Sequence, residues 1–294
     1  MNNSLTQQNQ KPKFSVVLQS DAIKKLINNT LGEVDRANRF ITNISSAVAV
    51  NPELQNCESF SIINAALLGE SLNLSPSPQL GHYFMVPFND KNRGKIATFQ
   101  LGYKGYIQLA MRSGQYKKLN VLAIKQGELV KYDPLNEEIE VNLIQDDEVR
   151  ENAATIGYYA MFEYLNGFRK TMYWSAKKMK SHATKYSQAY KSDQQKGYSY
   201  SFWTKDFDGM AYKTMLRQLI SKWGIMSVEM QKAINSDMAY IKDTNDVEYV
   251  DNVGDDLNPT NNNVQVEEVV EEVKEQPKPD SNVNGQPTLF GGEI

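Results

Sequence analysis

The chain has 294 residues, 23% of them charged and 40% hydrophobic, enough for a sizeable core with some polar excess. Its apolar runs fall far short of the eighteen or more residues that span a bilayer, and no signal-peptide pattern follows Met1, so the expectation is a cytoplasmic protein without membrane attachment. One cysteine, Cys57, and two histidines, His82 and His182, exclude an internal disulfide and a Cys-rich zinc site, and leave little material for histidine-based chemistry.

The net charge of −3 conceals a division: residues 236–294 hold 14 acidic and 3 basic side chains, whereas residues 1–235 hold 29 basic and 21 acidic. Within 166–232 there are 13 Lys and Arg against 4 Asp and Glu. A basic body with an acidic tail points to a polyanionic partner for the body, against the plainer alternative of a solvated face and a solubilising tail.

In chain order, the Asn/Gln-rich residues 1–13 read as disordered. Three helical patterns follow. Ser20 stands as N-cap before Ile23, Leu26 and Ile27, with Gly32 ending the run. Val34, Ala37, Ile41, Ile44 and Val48 recur at helical spacing until Pro52, and Ser59 caps a third helix carrying Ile62, Ile63, Ala66 and Leu67. After Ser75-Pro76-Ser77-Pro78 the pattern changes to strand: HYFMVPF (82–88) and GKIATFQL (94–101) flank a polar loop and predict a β-hairpin. Gly102 to Arg112 reads as a helix with Gly114 just past its end. Short strands are expected near 119–126, 128–132 and 138–143. ATIGYYAMFEYL (154–165) and FRKTMYW (168–174) surround Asn166-Gly167, a strong hairpin signal. Ser175 caps a helix to about Tyr190, 191–205 reads as a mobile polar loop, 206–224 as an amphipathic helix ending at Gly224, and Ser227 opens a short last helix. Beyond Asp237 the acidic repeat VEEVVEEV, with no helix stops, predicts disorder. The resulting division is a disordered 1–13, a folded 14–238 and a flexible acidic tail, 239–294. The fold class is α+β, with N-terminal helices, a middle rich in β-hairpins, and C-terminal helices.

The candidate functional residues are basic and aromatic. FQLGYKGYIQLAMRSGQYKK (99–118) holds four aromatics, four basic residues and three glycines, and no acid. On a helix, Lys104, Gln108 and Arg112 share one face while Tyr103, Ile107 and Ala110 share another, and Lys117 and Lys118 follow. Gly102, Gly105 and Gly114 suit close approach of a strand. On the helix after Ser175, Met179, Ala183, Tyr186 and Tyr190 form an apolar stripe. Lys177, Ser181 and Lys185 form a polar one, with Lys178 and Lys180 beside it. Lys213 and Arg217 lie one turn apart on the later helix, with Lys222 beyond. Lys205, Tyr198, Tyr200, Phe202, Trp203 and Phe207 surround these. Basic side chains interleaved with aromatics suit a single nucleic-acid strand, because phosphates take the charge and base faces stack. The competing reading makes Tyr186, Phe207 and Trp223 simply core.

No catalytic constellation assembles. The chain has neither G-x-x-x-x-G-K-[ST] nor G-x-S-x-G. Asp206 and Asp208 suggest a Mg²⁺ pair, but they stand where a helix N-cap is expected, and capping is the simpler explanation. A metal-dependent nuclease is therefore the least favoured reading. The expectation is a protein that is not an enzyme and requires no cofactor, Mg²⁺ lacking a clear site.

Four blocks, FQLGYKGYIQLAMRSGQYKKLNV, GELVKYDPLNEEIE, LNGFRKTMYW and SFWTKDFDGMAYKTMLRQLISKWGIMS, stand in order between residues 81 and 230. Together they resemble the RecT family of phage single-strand annealing proteins. The resemblance implies an ATP-independent recombinase, phage or prophage encoded in a bacterial host. Such a protein coats single-stranded DNA behind a processive exonuclease, pairs it with a complementary strand and holds the annealed duplex. It further implies a homo-oligomeric ring or helical filament and a β-hairpin-rich core crossed by a helix, with DNA in a basic groove. It carries DNA contact to Lys104, Arg112, Lys117 and Lys118, to the helix bearing Lys177, Lys178, Lys180 and Lys185, and next to Lys205, Lys213 and Arg217. Gln108 and Trp203 join them from the residue pattern. The acidic tail suits transient competition with DNA, and its end, with Leu289, Phe290 and Ile294, suits a docking peptide for a protein such as a host single-stranded-DNA-binding protein. The alternative is a passive single-strand binder, for DNA or RNA, that does not promote pairing.

Overall fold

The N-terminal quarter is helical because its apolar residues recur every three to four positions. Helices α1 (Phe14–Gln19), α2 (Asp21–Leu31) and α3 (Val34–Val50) precede a 3-10 turn (Pro52–Asn56) and α4 (Ser59–Ser71) in the computed structural model, which describes residues 12–241 and the backbone of 247–249. Gly32 ends α2 in the left-handed region, φ 74°, as expected. The cap of α4 is Glu58 rather than Ser59: its carboxylate accepts from the N–H groups of Phe60 and Ser61. Helix α4 buries Ile62, Ile63, Ala65, Ala66 and Leu68 around most of its circumference, as an internal helix must.

Strands β1 (Tyr83–Asp90) and β2 (Gly94–Leu101) form the expected hairpin, in register from Tyr83 opposite Leu101 to Asp90 opposite Gly94. Helix α5 (Tyr103–Arg112) follows, and Gly114 at φ 68° closes it. Next come β3 (Tyr116–Lys125), the small hairpin β4 (Leu129–Asp133) and β5 (Glu138–Val141), α6 (Asp147–Asn152), and the hairpin β6 (Thr155–Tyr164) and β7 (Arg169–Ser175). Gly167 takes the left-handed turn position between β6 and β7, at φ 86°. Strands β3, β6 and β7 make one antiparallel sheet in that order.

The C-terminal part comprises α7 (Ala176–Tyr186), α8 (Gln188–Lys196), α9 (Phe202–Lys205), α10 (Phe207–Trp223), α11 (Val228–Asn235), β8 (Ala239–Ile241) and β9 (Val247–Tyr249). Two expectations change here. The helix expected to reach Tyr190 stops at Tyr186, because Ser187 turns extended and caps α8, its hydroxyl accepting from the Tyr190 N–H. Most of the loop expected over 191–205 is therefore helix. Order also continues past Asp237: the Met238 N–H bonds the Phe99 carbonyl, Ala239 pairs with Phe99, and the first sheet runs β1-β2-β8-β9. The disorder expected of 1–13 and of the tail otherwise falls on residues outside those described, apart from Pro12 and Lys13.

Helix α10 explains the architecture. Leu216 and Ile220 belong to a core shared with α2–α5, α11 and β2, whereas Ala211, Met215 and Leu219 belong to a second core with β3, β6, α7 and α8. The helix packs on β3, β6 and β7 and on α5, so it crosses the second sheet and joins both cores. The fold is α+β, as the sequence predicted.

Candidate nucleic-acid interface

A cleft of about 390 Å³ opens between the start of α5 and the α9–α10 junction. Lys104 and Lys205, both exposed, stand on its walls with the rings of Phe84 and Phe202, whose centroids are 5.8 Å apart. Phe84 was missed by sequence reasoning although a signal existed: Tyr83 and Met85 alternate inward on β1, which turns Phe84 to the other face. The glycines at this end of α5 serve the protein's own packing. A Cβ on Gly102 would lie 2.2 Å from the Gly81 carbonyl oxygen, and one on Gly105 would lie 2.1 Å from that of His82. They seat α5 against residues 81–82 instead of clearing a path for a strand.

The two acids at the start of α10 are committed. Asp206 caps α10 by accepting from the Gly209 N–H at 2.9 Å, and Asp208 accepts from the Tyr158 hydroxyl at 2.5 Å. Among the described residues, no three His, Cys, Asp or Glu side chains gather closely enough to hold a metal ion.

Helix α7 presents a lysine-rich surface. Met179 and Ala183 face the core, which turns Lys177, Lys180, Ser181, Thr184 and Lys185 the other way. With Gln188 and Lys191 of α8 they surround an open cleft of about 610 Å³ that has no acidic residue in its lining. The break at Ser187 brings Lys191 to this cleft, and the sequence reading, expecting a loop there, did not count it. Lys178 lies apart, its Nζ 4.3 Å from the centre of the Trp174 ring. His182 stands between Trp174 and Tyr186, with centroids at 5.4 and 4.6 Å. Burial, then Lys185, Lys178 and Arg217, push its pKa down to about 4, so it is neutral near pH 7 and adds no charge to the lysines.

The other expected contacts are placed differently. Lys117 and Lys118 share the Glu163 carboxylate at 2.5 and 3.8 Å, and the hydrogen bond from Lys117 leads in holding that carboxyl below its usual range. Both lysines remain largely exposed, two cations on one anion. Arg112 reaches back to the end of α4, donating to the carbonyls of Leu72 at 2.7 Å and Asn73 at 3.3 Å, where a cation meets the negative end of the helix dipole. Gln108, half-buried one turn earlier, supplies a carbonyl to Arg112 Nε at 3.4 Å.

Three residues expected on the DNA-facing surface lie inside. Trp203 is 6% exposed, packed between Tyr190 and Phe207. Lys213 and Arg217 are enclosed because α10 is covered from both cores, and their charges meet Asp237: Lys213 Nζ to Oδ1 at 2.8 Å and Arg217 Nη1 to Oδ2 at 2.7 Å. The Leu101 N–H donates to the same carboxylate at 2.9 Å, and the Tyr106 hydroxyl lies 3.5 Å from it. Burial lowers the Lys213 pKa against the pull of Asp237, and it raises that of Tyr106. No local signal marked Asp237, a single carboxylate at the point where the sequence pattern ran out.

Residues 38–251, from within α3 to just past β9, match the model of the RecT family. The chain belongs to the RecT family. Uncharacterized protein YqaK of Bacillus subtilis (strain 168) is 44% identical over 218 residues, 74% of this chain and 69% of its own. Protein RecT of Escherichia coli (strain K12) is 28% identical over 205 residues, 68% of this chain and 71% of its own. RecT-family proteins are annealing proteins rather than catalysts, and membership gives this one a single-strand annealing role in recombination, with single-stranded DNA as its ligand. Among the described residues of this RecT-family chain, no helix is long and apolar enough to cross a membrane.

Proposed function

We propose that this RecT-family protein grips single-stranded DNA by its phosphates along the α7–α8 lysine face and the Lys104–Lys205 cleft, then pairs it with a complementary strand without nucleotide triphosphate or other cofactor. The observation that carries this reading is the α7–α8 cleft, where Lys177, Lys180, Lys185 and Lys191 converge with no acidic residue between them. Long, mobile ammonium side chains suit phosphates, and a strand held by its backbone keeps its pairing edges free. Lys117 and Lys118 extend the cationic surface. Arg112, Lys213, Arg217 and Trp203 act on DNA only through the fold they hold together.

One folded body spans only a few nucleotides, so continuous coverage calls for repeated head-to-tail subunits, which close into a ring or run on as a helical filament. In this reading a phage exonuclease supplies the strand in the cytoplasm of a bacterial host. The end of the acidic tail, with Leu289 and Phe290, serves as a docking peptide for a host single-stranded-DNA-binding protein. The test is annealing of two labelled complementary oligonucleotides without triphosphate, with and without Mg²⁺. The expected result is acceleration that is lost when Lys177, Lys180 and Lys185 are changed together to Ala. Binding without acceleration makes the protein a passive coat, and degradation of the strands in Mg²⁺ makes it a nuclease.

A further inference from the structure

The segment between α8 and α9 shows two tyrosines to solvent, Tyr198 at 50% and Tyr200 at 70% exposure, their rings edge to face with centroids 5.4 Å apart. Exposed aromatics on a short connection usually sit on mobile chain, but this connection is tied down by one residue. Asp193, 3% exposed, accepts through its carboxylate from the N–H groups of Tyr200 and Ser201 at 3.0 and 2.8 Å and from the Thr204 hydroxyl at 2.7 Å. Its backbone carbonyl accepts from the N–H groups of Gly197 and Tyr198 at 2.8 and 3.2 Å. Gly197 turns the chain at φ 70°, a conformation other residues seldom adopt. Asp193 is also the only acidic residue between Gln188 and Lys205. With its carboxylate folded inward, the outward charges of this stretch are Lys191, Lys196 and Lys205.

From this geometry we propose that Tyr198 and Tyr200 form a fixed ledge that stacks on the face of an unpaired nucleobase, and that Asp193 is the positioning residue that holds the ledge in place. The inference rests on the single-strand binding proposed above and adds a base contact to a phosphate grip. Exposed aromatic rings on a stretch whose outward charges are all lysines fit a base attached to a phosphodiester chain better than they fit an apolar protein surface. Stacking occupies the face of the base and leaves the pairing edge, which lies in the ring plane, open to a second strand. It also tolerates any sequence, because every base has a π face. Holding the rings in advance removes the ordering cost that a mobile loop would incur on binding.

The experiment compares a mixed-sequence oligonucleotide with a strand of the same length built of abasic sites, which carries the same phosphates without bases. By fluorescence anisotropy, wild type should bind the base-bearing strand on the order of tenfold more tightly. Tyr200→Ala should remove most of that preference, and Tyr200→Phe should keep it, since the ring and not the hydroxyl does the stacking. Asp193→Asn should lose the preference while the salt dependence of binding stays that of wild type. Thr204→Val, which deletes one of the bonds to the same carboxylate, gives the milder version of that result if Asp193→Asn melts too early to assay. Equal affinity of wild type for both strands overturns the ledge and leaves the annealing proposal standing, whereas wild type binding neither strand overturns both. Full preference retained in Asp193→Asn and Thr204→Val overturns the positioning role.

Discussion

Two lysines far apart in the chain, Lys104 and Lys213, come to opposite uses in the fold. Both border the same cleft, but Lys104 is exposed, whereas the Lys213 ammonium is spent on Asp237 together with Arg217. Asp237 thus pairs with two buried cations and ties α10 to α5 and β2. Asp237→Ala removes the carboxylate that both buried cations share and should cost about 3–5 kcal/mol, read as a lower midpoint in urea or thermal denaturation. Lys104→Ala should stay within about 0.5 kcal/mol of wild type in the same assay and lose single-strand affinity instead. The periodicity of α10 did place Lys213 and Arg217 on a common face. What a sequence could not reveal is that Asp237 meets that face together with Leu101 and Tyr106, because these residues come from distant parts of the chain.

At the scale of elements, the parts legible in the sequence were those with a long periodic pattern or sharp punctuation. The β1–β2 hairpin, the β6–β7 hairpin around Gly167, and helices α3, α5 and α10 follow their patterns closely. Helices α8 and α9 were not legible. Of α8, only Tyr190 and Asp193 are buried, so no apolar stripe announces it, and it stands on the Ser187 cap and the bonds gathered by Asp193. Strand β8 has three residues, too few for an alternation to register, and it forms because β2 offers an open edge. The glycines of α5 were legible as special positions but not in their purpose. Gly105→Ala would push a methyl against the His82 carbonyl oxygen and should destabilise by about 1–3 kcal/mol or more. At Gly114 nothing lies within 4 Å, so Gly114→Ala should cost only about 1–2 kcal/mol, from its left-handed backbone. Were Gly105 present to admit DNA, its substitution would weaken binding and leave the melting curve unchanged.

For the whole molecule, the division of charge remains the strongest single indication of a polyanionic partner, and the structure concentrates it on α7 and α8. Single-strand affinity should therefore fall steeply with salt, by about 0.7 in log K per log salt for each phosphate neutralised. Changing Lys180 and Lys185 to Ala should flatten that slope by about one to two such increments, measured by titration at several salt concentrations. A slope unchanged in that variant would move the phosphate contacts off this face. Annealing asks for more than a basic surface, because the bound strand must keep its pairing edges accessible and the product must be held. The most direct measurement forms a duplex on the protein by adding two complementary strands in succession, then challenges it with excess unlabelled single strand. This duplex should leave more slowly than bound single strand and more slowly than the same duplex added preformed, with the advantage lost when Lys177, Lys180 and Lys185 are changed to Ala. A sequentially formed duplex that dissociates as fast as bound single strand would contradict it and leave only a passive coat.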